Sequence, residues 1–306
     1  MRVFVTGARG LIGHALSESL LAGGHEVVGL SRSPEPLGLS PGARRVAGDP
    51  ATPGSWLEEL AHCDACVHLA GEPIAGGRWT EARKARIRDS RILSTRLVAR
   101  AIAQGGPRVL VSGSAVGYYG PRGDEALDES APPGDDFLSR LCQAWEAAAL
   151  EAAPRARVVL LRSGIVLAEG GGALQELVRP FHLFLGGPIG QGAFFEPWIH
   201  LADEVALIRF ALEDGGLTGP VNATAPNPVR NRELARAIGR VLGRPSLVKV
   251  PPLALRLALG ELSSVVASGQ RAIPKKALER GFTFRFPELL GALEDLLTRK
   301  VRGASG

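Results

Sequence analysis

The run Arg2-Val3-Phe4-Val5 leads straight into Thr6-Gly7-Ala8-Arg9-Gly10-Leu11-Ile12-Gly13, and apolar residues then recur at helical spacing (Leu11, Ile12, Ala15, Leu16, Leu20) up to Gly23-Gly24. A strand that turns through glycines into a helix constrains the rest of the chain strongly, because it buries its strand only within a sheet covered by helices. The alternation continues. Strand-like runs fall at 26–30, 44–47, 65–70, 109–112 and 158–161, with 221–224 a further candidate, and long helical stretches fill 81–104 and 137–152. This pattern predicts an α/β protein with a Rossmann-type doubly wound parallel sheet.

The last third changes character. Helices are expected at 232–242, 251–259 and 287–297, and Phe282, Phe284 and Phe286 alternate with Thr283 and Arg285 as in a half-buried strand. Glycine-rich loops at 170–172 and 186–192 mark where the chain leaves the sheet. These features predict a small C-terminal α+β substrate-side domain of 167–200 plus 226–300. The sheet domain would then be 1–166 plus 201–225, with 301–306 a tail.

Bulk properties exclude several classes. Of 306 residues, 45% are hydrophobic and 22% charged, ordinary for a globular enzyme. The apolar runs break before the roughly 18 residues of a membrane span, so no membrane partner is expected. The chain starts directly on a strand with no separate signal-like apolar region, which points to a cytoplasmic address. Three cysteines make no disulfide framework, in keeping with a reducing compartment. Despite a net charge of +5, the arginines are scattered and aromatics are only 5%, so the basic surface reads as solvated rather than nucleic-acid-binding.

The glycine turn acts through its backbone. Gly7 permits the tight turn, Gly10 lets the main chain approach a pyrophosphate, and Gly13 lets helix and strand pack closely; the N–H groups of Leu11 and Ile12 then face the phosphates. With a strand before it and a second strand at the expected distance after it, the turn predicts a bound dinucleotide. The second strand ends in Ser31-Arg32, with no acid before Glu35. A hydroxyl and a guanidinium suit a 2′-phosphate, where a carboxylate would repel it, so NADP(H) is favoured over NAD. Asp49 after the third strand is placed to contact the adenine amine, and Leu69-Ala70-Gly71 to let the chain pass the ribose.

Together with Ser112-Gly113-Ser114, these segments resemble the extended short-chain dehydrogenase/reductase superfamily; Pro197-Trp198-Ile199-His200 followed by Asp203 fits the same group. More narrowly, the Ser112 to Gly120 segment, Arg162 to Leu167, Gly186 to Gly190, and Gln270-Arg271 through Phe286-Pro287 resemble its atypical branch of epimerase-family proteins, sometimes labelled cell-division-inhibitor-like, which carries a characteristic C-terminal domain. The resemblance covers essentially the whole chain. It implies NADP(H) binding with contacts at Leu69, Ala70, Arg91 and Val166, and Arg91 stands where the superfamily usually has asparagine.

Standard members use a Tyr-x-x-x-Lys pair, in which the lysine lowers the pKa of a phenol that is otherwise a poor base at neutral pH. Here the only tyrosines are Tyr118 and Tyr119, and neither has lysine four residues on. Alignment on Trp145-Glu146 puts Leu138 and Cys142 at the two positions. Ser114, rather than Ser112, matches the usual substrate-binding serine, and Ser114 with Tyr118 is the expected catalytic pair. Packing under the substrate loop is the competing role for the tyrosines. Glu72 and His200 are further proton carriers, more in keeping with structural or substrate contacts. The run His62-Cys63-Asp64-Ala65-Cys66-Val67-His68 has no second cysteine pair to complete a zinc site, so core burial is expected and no metal.

Two functions fit these residues. One is an NADP(H)-dependent oxidoreductase or epimerase-like enzyme with a non-standard proton-transfer site, acting on a small molecule of nucleotide-sugar or other type. The other is a non-catalytic NADPH-binding sensor or regulator. The helices at 81–104 and 137–152 would form the superfamily's usual homodimer face.

Overall fold

Val3, Phe4 and Val5 are all completely buried, as in a strand covered on both faces. The computed structural model describes residues 1–32, 38–75 and 77–303; Glu35 and the end of the 301–306 tail lie outside the described residues. In chain order the strands are β1 (Arg2–Thr6), β2 (Glu26–Ser31), β3 (Arg44–Ala47), β4 (Ala65–His68), β5 (Val109–Ala115), β6 (Ala126–Leu127), β7 (Arg157–Ser163), β8 (Ile165–Ala168), β9 (Phe195–Glu196), β10 (Trp198–His200), β11 (Gly219–Ala223), β12 (Val229–Arg230) and β13 (Arg271–Ala272). Seven form one sheet in the order β11-β7-β5-β4-β1-β2-β3, with every pair parallel.

The helices are α1 (Leu11–Ala22), α2 (Trp56–Ala61), α3 (Glu81–Gln104), α4 (Phe137–Leu150), α5 (Gly172–His182), α6 (Leu201–Glu213), α7 (Asn231–Leu242), α8 (Pro252–Leu259), α9 (Leu262–Val266), α10 (Lys275–Glu279) and α11 (Leu289–Gly303). Strand side chains alternate between two cores. On one face Val5, Val111 and Leu161 pack with Leu16 and Leu20 of α1 and Leu207 of α6. On the other, Phe4, Leu110 and Leu160 pack with Leu60 of α2, Val98 of α3 and Ala149 of α4. A third core joins Leu174 of α5, Trp198, Leu234 of α7 and Leu293 of α11. Among the described residues no helix is long and apolar enough to cross a membrane.

Three differences from the sequence reading bear on the site. β4 stops at His68: Leu69 N–H makes one last bond to the Thr6 carbonyl (3.3 Å), and the N–H groups of Leu69 and Ala70 also reach Thr6 Oγ1 (3.2 Å each). β5 and β7 run further than expected, to Ala115 and Ser163, and their ends carry polar side chains. The alternating phenylalanines do not form a strand. The N–H groups of Arg285 and Phe286 donate to the Asp203 carboxylate (2.7 and 2.9 Å), which removes the donors a ladder needs. Phe282 and Phe284 enter the α1/α6 core instead.

The preceding residues also lie against the sheet domain, with β13 paired to β6 and α10 packed on β11. The helix α9 crosses to the opposite side. Leu262 packs against Trp79, Ile87 and Leu141, with Val265 and Val266 beside Leu138, and Glu261 pairs with Lys84 at 2.7 Å.

Candidate cofactor and active site

The glycine turn has the geometry its sequence requires. Gly7 has φ +68°, and a Cβ there would lie 2.9 Å from the Leu69 carbonyl. A Cβ on Gly13 would lie 2.2 Å from Gly7 O, so α1 seats on the turn only without a side chain at that position. Gly10 caps α1 with no side-chain hydrogen bond and no acid in the first turn. By contrast α3, α4 and α6 start on the side chains of Thr80, Asp136 and His200. The first N–H groups of α1, at Leu11 and Ile12, are therefore open to an anion. Leu11 is exposed and Ile12 half-buried against the core.

The other expected cofactor residues divide. Thr6 is fully buried, and its hydroxyl is taken up by His68 Nδ1 (2.7 Å) and the two N–H groups beyond β4, so it braces the turn. Ser31 is buried at the end of β2 and Arg32 is exposed beside it. Arg9, which sequence reasoning missed, reaches toward the same rim, its Nε 3.1 Å from where a Cβ on Gly38 would sit. Asp49 closes its own turn by accepting from Ala51 N–H (2.8 Å). Gly71 lies against Arg91, whose Cζ would be 3.2 Å from a Cβ there. Arg91 is buried and donates to the carbonyls of Glu72 (2.9 Å) and Ile87 (3.1 Å), leaving a buried Nε without a partner. Val166 is half-buried at the edge of the α1/α6 core. The open helix start, the tight glycine contacts and the orphaned Nε fit a phosphate-bearing cofactor.

Beyond this cradle the expected catalytic residues meet partners that the sequence did not announce. Ser114, Arg162 and Asn222 stand in register across β5, β7 and β11 and share the α3/α4 face. Arg162 Nε and Nη2 each bond the Glu146 carboxylate of α4 at 2.8 Å. Burial opposes the guanidinium charge, but this paired contact and the Tyr119 oxygen outweigh it and raise its pKa. Arg162 Nη1 donates to Tyr119 OH (2.9 Å), which donates to Asn222 Oδ1 (2.7 Å). Tyr119 is fully buried, and burial pushes its phenol up to about 12. Ser114 Oγ donates to Glu146 Oε1 at 2.7 Å. A serine has one proton, so Ser114 can offer only lone pairs to a ligand.

Tyr118 differs from its neighbour. It lies within a 3-10 turn, Val116–Tyr119, is half-buried, and lays its ring over Arg162 with Cζ 3.4 Å from the centroid. Its hydroxyl makes no hydrogen bond to a described residue. Leu138 and Cys142 of α4 pack where the alignment puts the usual tyrosine and lysine, and burial pushes the Cys142 thiol up to about 12.

His68 lies between Thr6 and Ser94 with Cys66 buried on the same strand face, and burial lowers its pKa to about 4. His200 caps α6 through Ala202 N–H (3.0 Å) and stacks on Phe286, so its role is structural. Glu72 is tied to α3 through its N–H and Ser90 Oγ (3.0 Å). On the α1/α6 face, sequence reasoning missed Glu204 of α6, which is completely buried against Ser163.

The sheet order, the glycine turn and the uncapped helix start define a Rossmann-type nucleotide-binding protein. Residues 3–223 match the family model described as NAD dependent epimerase/dehydratase family, and 250–296 match a domain of unknown function, DUF1731. The chain belongs to the NAD dependent epimerase/dehydratase family. It is 40% identical over 304 residues to epimerase family protein SDR39U1 of Bos taurus (97% of this chain, 100% of that protein). It is 39% identical to epimerase family protein YfhF of Bacillus subtilis (97% and 98%). The crystal structure of human SDR39U1 isoform 2 with NADPH superposes with a TM-score of 0.87 at 39% identity, covering 97% and 99% of the two chains. UDP-glucuronic acid 4-epimerase of Bacillus cereus, at 18% identity and a TM-score of 0.77 (98% and 100% covered), shares the fold.

Proposed function

We propose that the chain is an NADP(H)-dependent oxidoreductase or epimerase-like enzyme for a small substrate, with proton chemistry that does without Tyr-x-x-x-Lys. The cofactor is inferred from the NADPH in the human relative together with the exposed Arg32 and Arg9 beside Ser31. The residues that would hold it are the glycine turn, the first N–H groups of α1, the 69–71 turn, Arg91 and Val166. Bound there, the nicotinamide supplies or accepts hydride.

The observation that carries the enzyme reading is the buried network Ser114–Glu146–Arg162–Tyr119–Asn222, with Tyr118 stacked on it. It puts a fixed cation beside a tyrosine ring at the carboxyl ends of the strands, where open α/β sheets bind ligands. Ser114 orients the substrate by accepting a hydrogen bond, and Tyr118 presents its uncommitted hydroxyl. The second reading, a non-catalytic NADPH sensor, draws on the burial of Tyr119 and on Leu138 and Cys142 at the usual catalytic positions. A cytoplasmic address and a homodimer through α3 and α4 belong to the same proposal.

Stereospecific deuteride exchange from labelled NADPH across a library of carbonyl compounds decides between the two. The enzyme reading expects exchange by the wild type, reduced about 100-fold in Tyr118→Phe, the usual scale of one proton-transfer group. Tight NADPH binding without exchange across the library is the sensor's result.

A further inference from the structure

β7 ends in Ser163, which is half-buried and in register with Ala115 of β5 and Ala223 of β11. Its side chain faces away from that of Arg162, onto the α1/α6 side. There Ser163 Oγ lies 2.6 Å from Oε1 of Glu204, in the first turn of α6. Glu204 is completely buried, and its second oxygen, Oε2, has no hydrogen-bond partner.

The ionisable groups on the elements packed around α6 are engaged elsewhere. His14 and Glu18 of α1 face each other at 3.5 Å on the surface. Arg157 of β7 donates to the carbonyls of Ala211, Leu212 and Leu217, and Arg162 is on the opposite face with Glu146. His200 of β10 meets Asp295, Asp203 accepts from the 285 and 286 amides, and the Arg285 guanidinium lies over Phe286. On α6 itself Arg209 reaches Ser19 and Glu213. β5 and β8 carry no ionisable residue.

An ionised carboxylate in such a place lacks both a cation and half its hydrogen bonds, so the neutral acid is favoured. Burial accordingly pushes the Glu204 carboxyl up to about 7. The neutral group leaves least unsatisfied with its proton on Oε1, donated to Ser163 Oγ, and Oε2 as a bare carbonyl oxygen. The proton of Ser163 is then free for another acceptor. Ser114, one strand away, does the reverse.

We propose that Glu204 and Ser163 form a proton-transfer site, in which Ser163 hands its hydroxyl proton to an oxygen of a carbonyl substrate and takes the Glu204 proton in its place. The site rests on the enzyme reading above and adds a second proton-transfer group to the Tyr118 hydroxyl. In reduction, a reduced nicotinamide gives hydride to the carbonyl carbon and the C=O π pair moves to oxygen. The new O–H forms with the Ser163 proton. The Glu204 O–H breaks as Ser163 O–H re-forms, and the carboxylate left behind is recharged from solvent. The reverse sequence oxidises a secondary alcohol.

Infrared difference spectra of the full chain between about pH 5 and about pH 9 read the proton without turnover. The expected result is a protonated-carboxyl C=O band that disappears through neutrality in the wild type. Glu204→Gln should remove one component of that band, and the same component should be kept in Glu196→Gln, which removes another buried acid of raised pKa. Identical difference spectra for wild type and Glu204→Gln would overturn the site. Ser163→Ala is the second arm, should Glu204→Gln not fold. It should lower kcat about 100-fold and flatten the pH profile near neutrality while NADPH affinity holds; unchanged kcat and pH profile overturn the proposal. A wild type without turnover defeats the enzyme reading alone, and the infrared band still decides whether Glu204 holds the proton.

Discussion

Two serine–carboxyl pairs sit back to back at the carboxyl ends of the central strands. On the α3/α4 face Ser114 and Glu146 share their bonds with Arg162, and each oxygen of the carboxylate has a donor. On the α1/α6 face Ser163 and Glu204 have no cation, and one carboxyl oxygen is unpartnered. The residue types match and the burial is similar. One guanidinium makes the difference, since it supplies two charge-assisted hydrogen bonds on one side only. The compensated pair is a rigid brace that offers lone pairs to a ligand, and the uncompensated pair is a proton store.

The largest effect expected from this contrast is in Glu146→Ala, which strands Arg162 without its partner. A loss of about 3–5 kcal/mol in urea unfolding is expected. The double variant Glu146→Ala/Arg162→Leu should lose less than that single change, because no buried charge is left alone. A loss under about 1 kcal/mol in Glu146→Ala would mean that the pair is solvated and the contrast between faces is false.

Next comes Gly13→Ala on the α1/α6 face, where the new Cβ must push Gly7 O from 2.2 Å. A destabilisation of about 1–3 kcal/mol is expected. NADPH affinity should fall at least about tenfold by titration, which is about 1.4 kcal/mol. Ser114→Ala removes one donor from a charged carboxylate and should cost about 1–2 kcal/mol, more than Ser163→Ala beside the neutral Glu204. Equal losses would blur the distinction. The smallest effect belongs to Arg32→Ala and Arg9→Ala, each about 1 kcal/mol in NADPH-over-NADH preference and fading with added salt.

The cradle was legible in the sequence because its constraints are local. Gly7, Gly10 and Gly13 are fixed by a turn of a few residues, and the strand–helix alternation around them has a short period. The network was not, because strand register and one helix bring Ser114, Glu146, Arg162 and Asn222 together from separate segments. A signal existed all the same. Arg162 closes the apolar run Val158-Val159-Leu160-Leu161, and Glu146 interrupts another, Trp145-Glu146-Ala147-Ala148-Ala149. A charge inside an apolar run asks for a buried partner. Tyr118 and Tyr119 are adjacent, so periodicity could not say which would be buried. The phenylalanine alternation at 282–286 mimics a strand because pattern reports which side chains are buried, whereas Asp203, 82 residues before Arg285, decides where the amides go.

The protonation state of Glu204 is the central claim, and the pH dependence of unfolding tests it most directly. Burial raises the folded carboxyl from 4.5 to about 7. Below about pH 4.5 both folded and unfolded chains hold the proton. As pH rises, the unfolded chain releases it first, so the stability tied to this proton is lost between about 4.5 and about 7. At about 1.4 kcal/mol per pH unit the loss amounts to about 3 kcal/mol. The account predicts that the unfolding free energy of wild type minus that of Glu204→Gln falls by about this much from about pH 4.5 to about pH 8. Parallel curves across that range would show Glu204 ionised in the folded chain and contradict it.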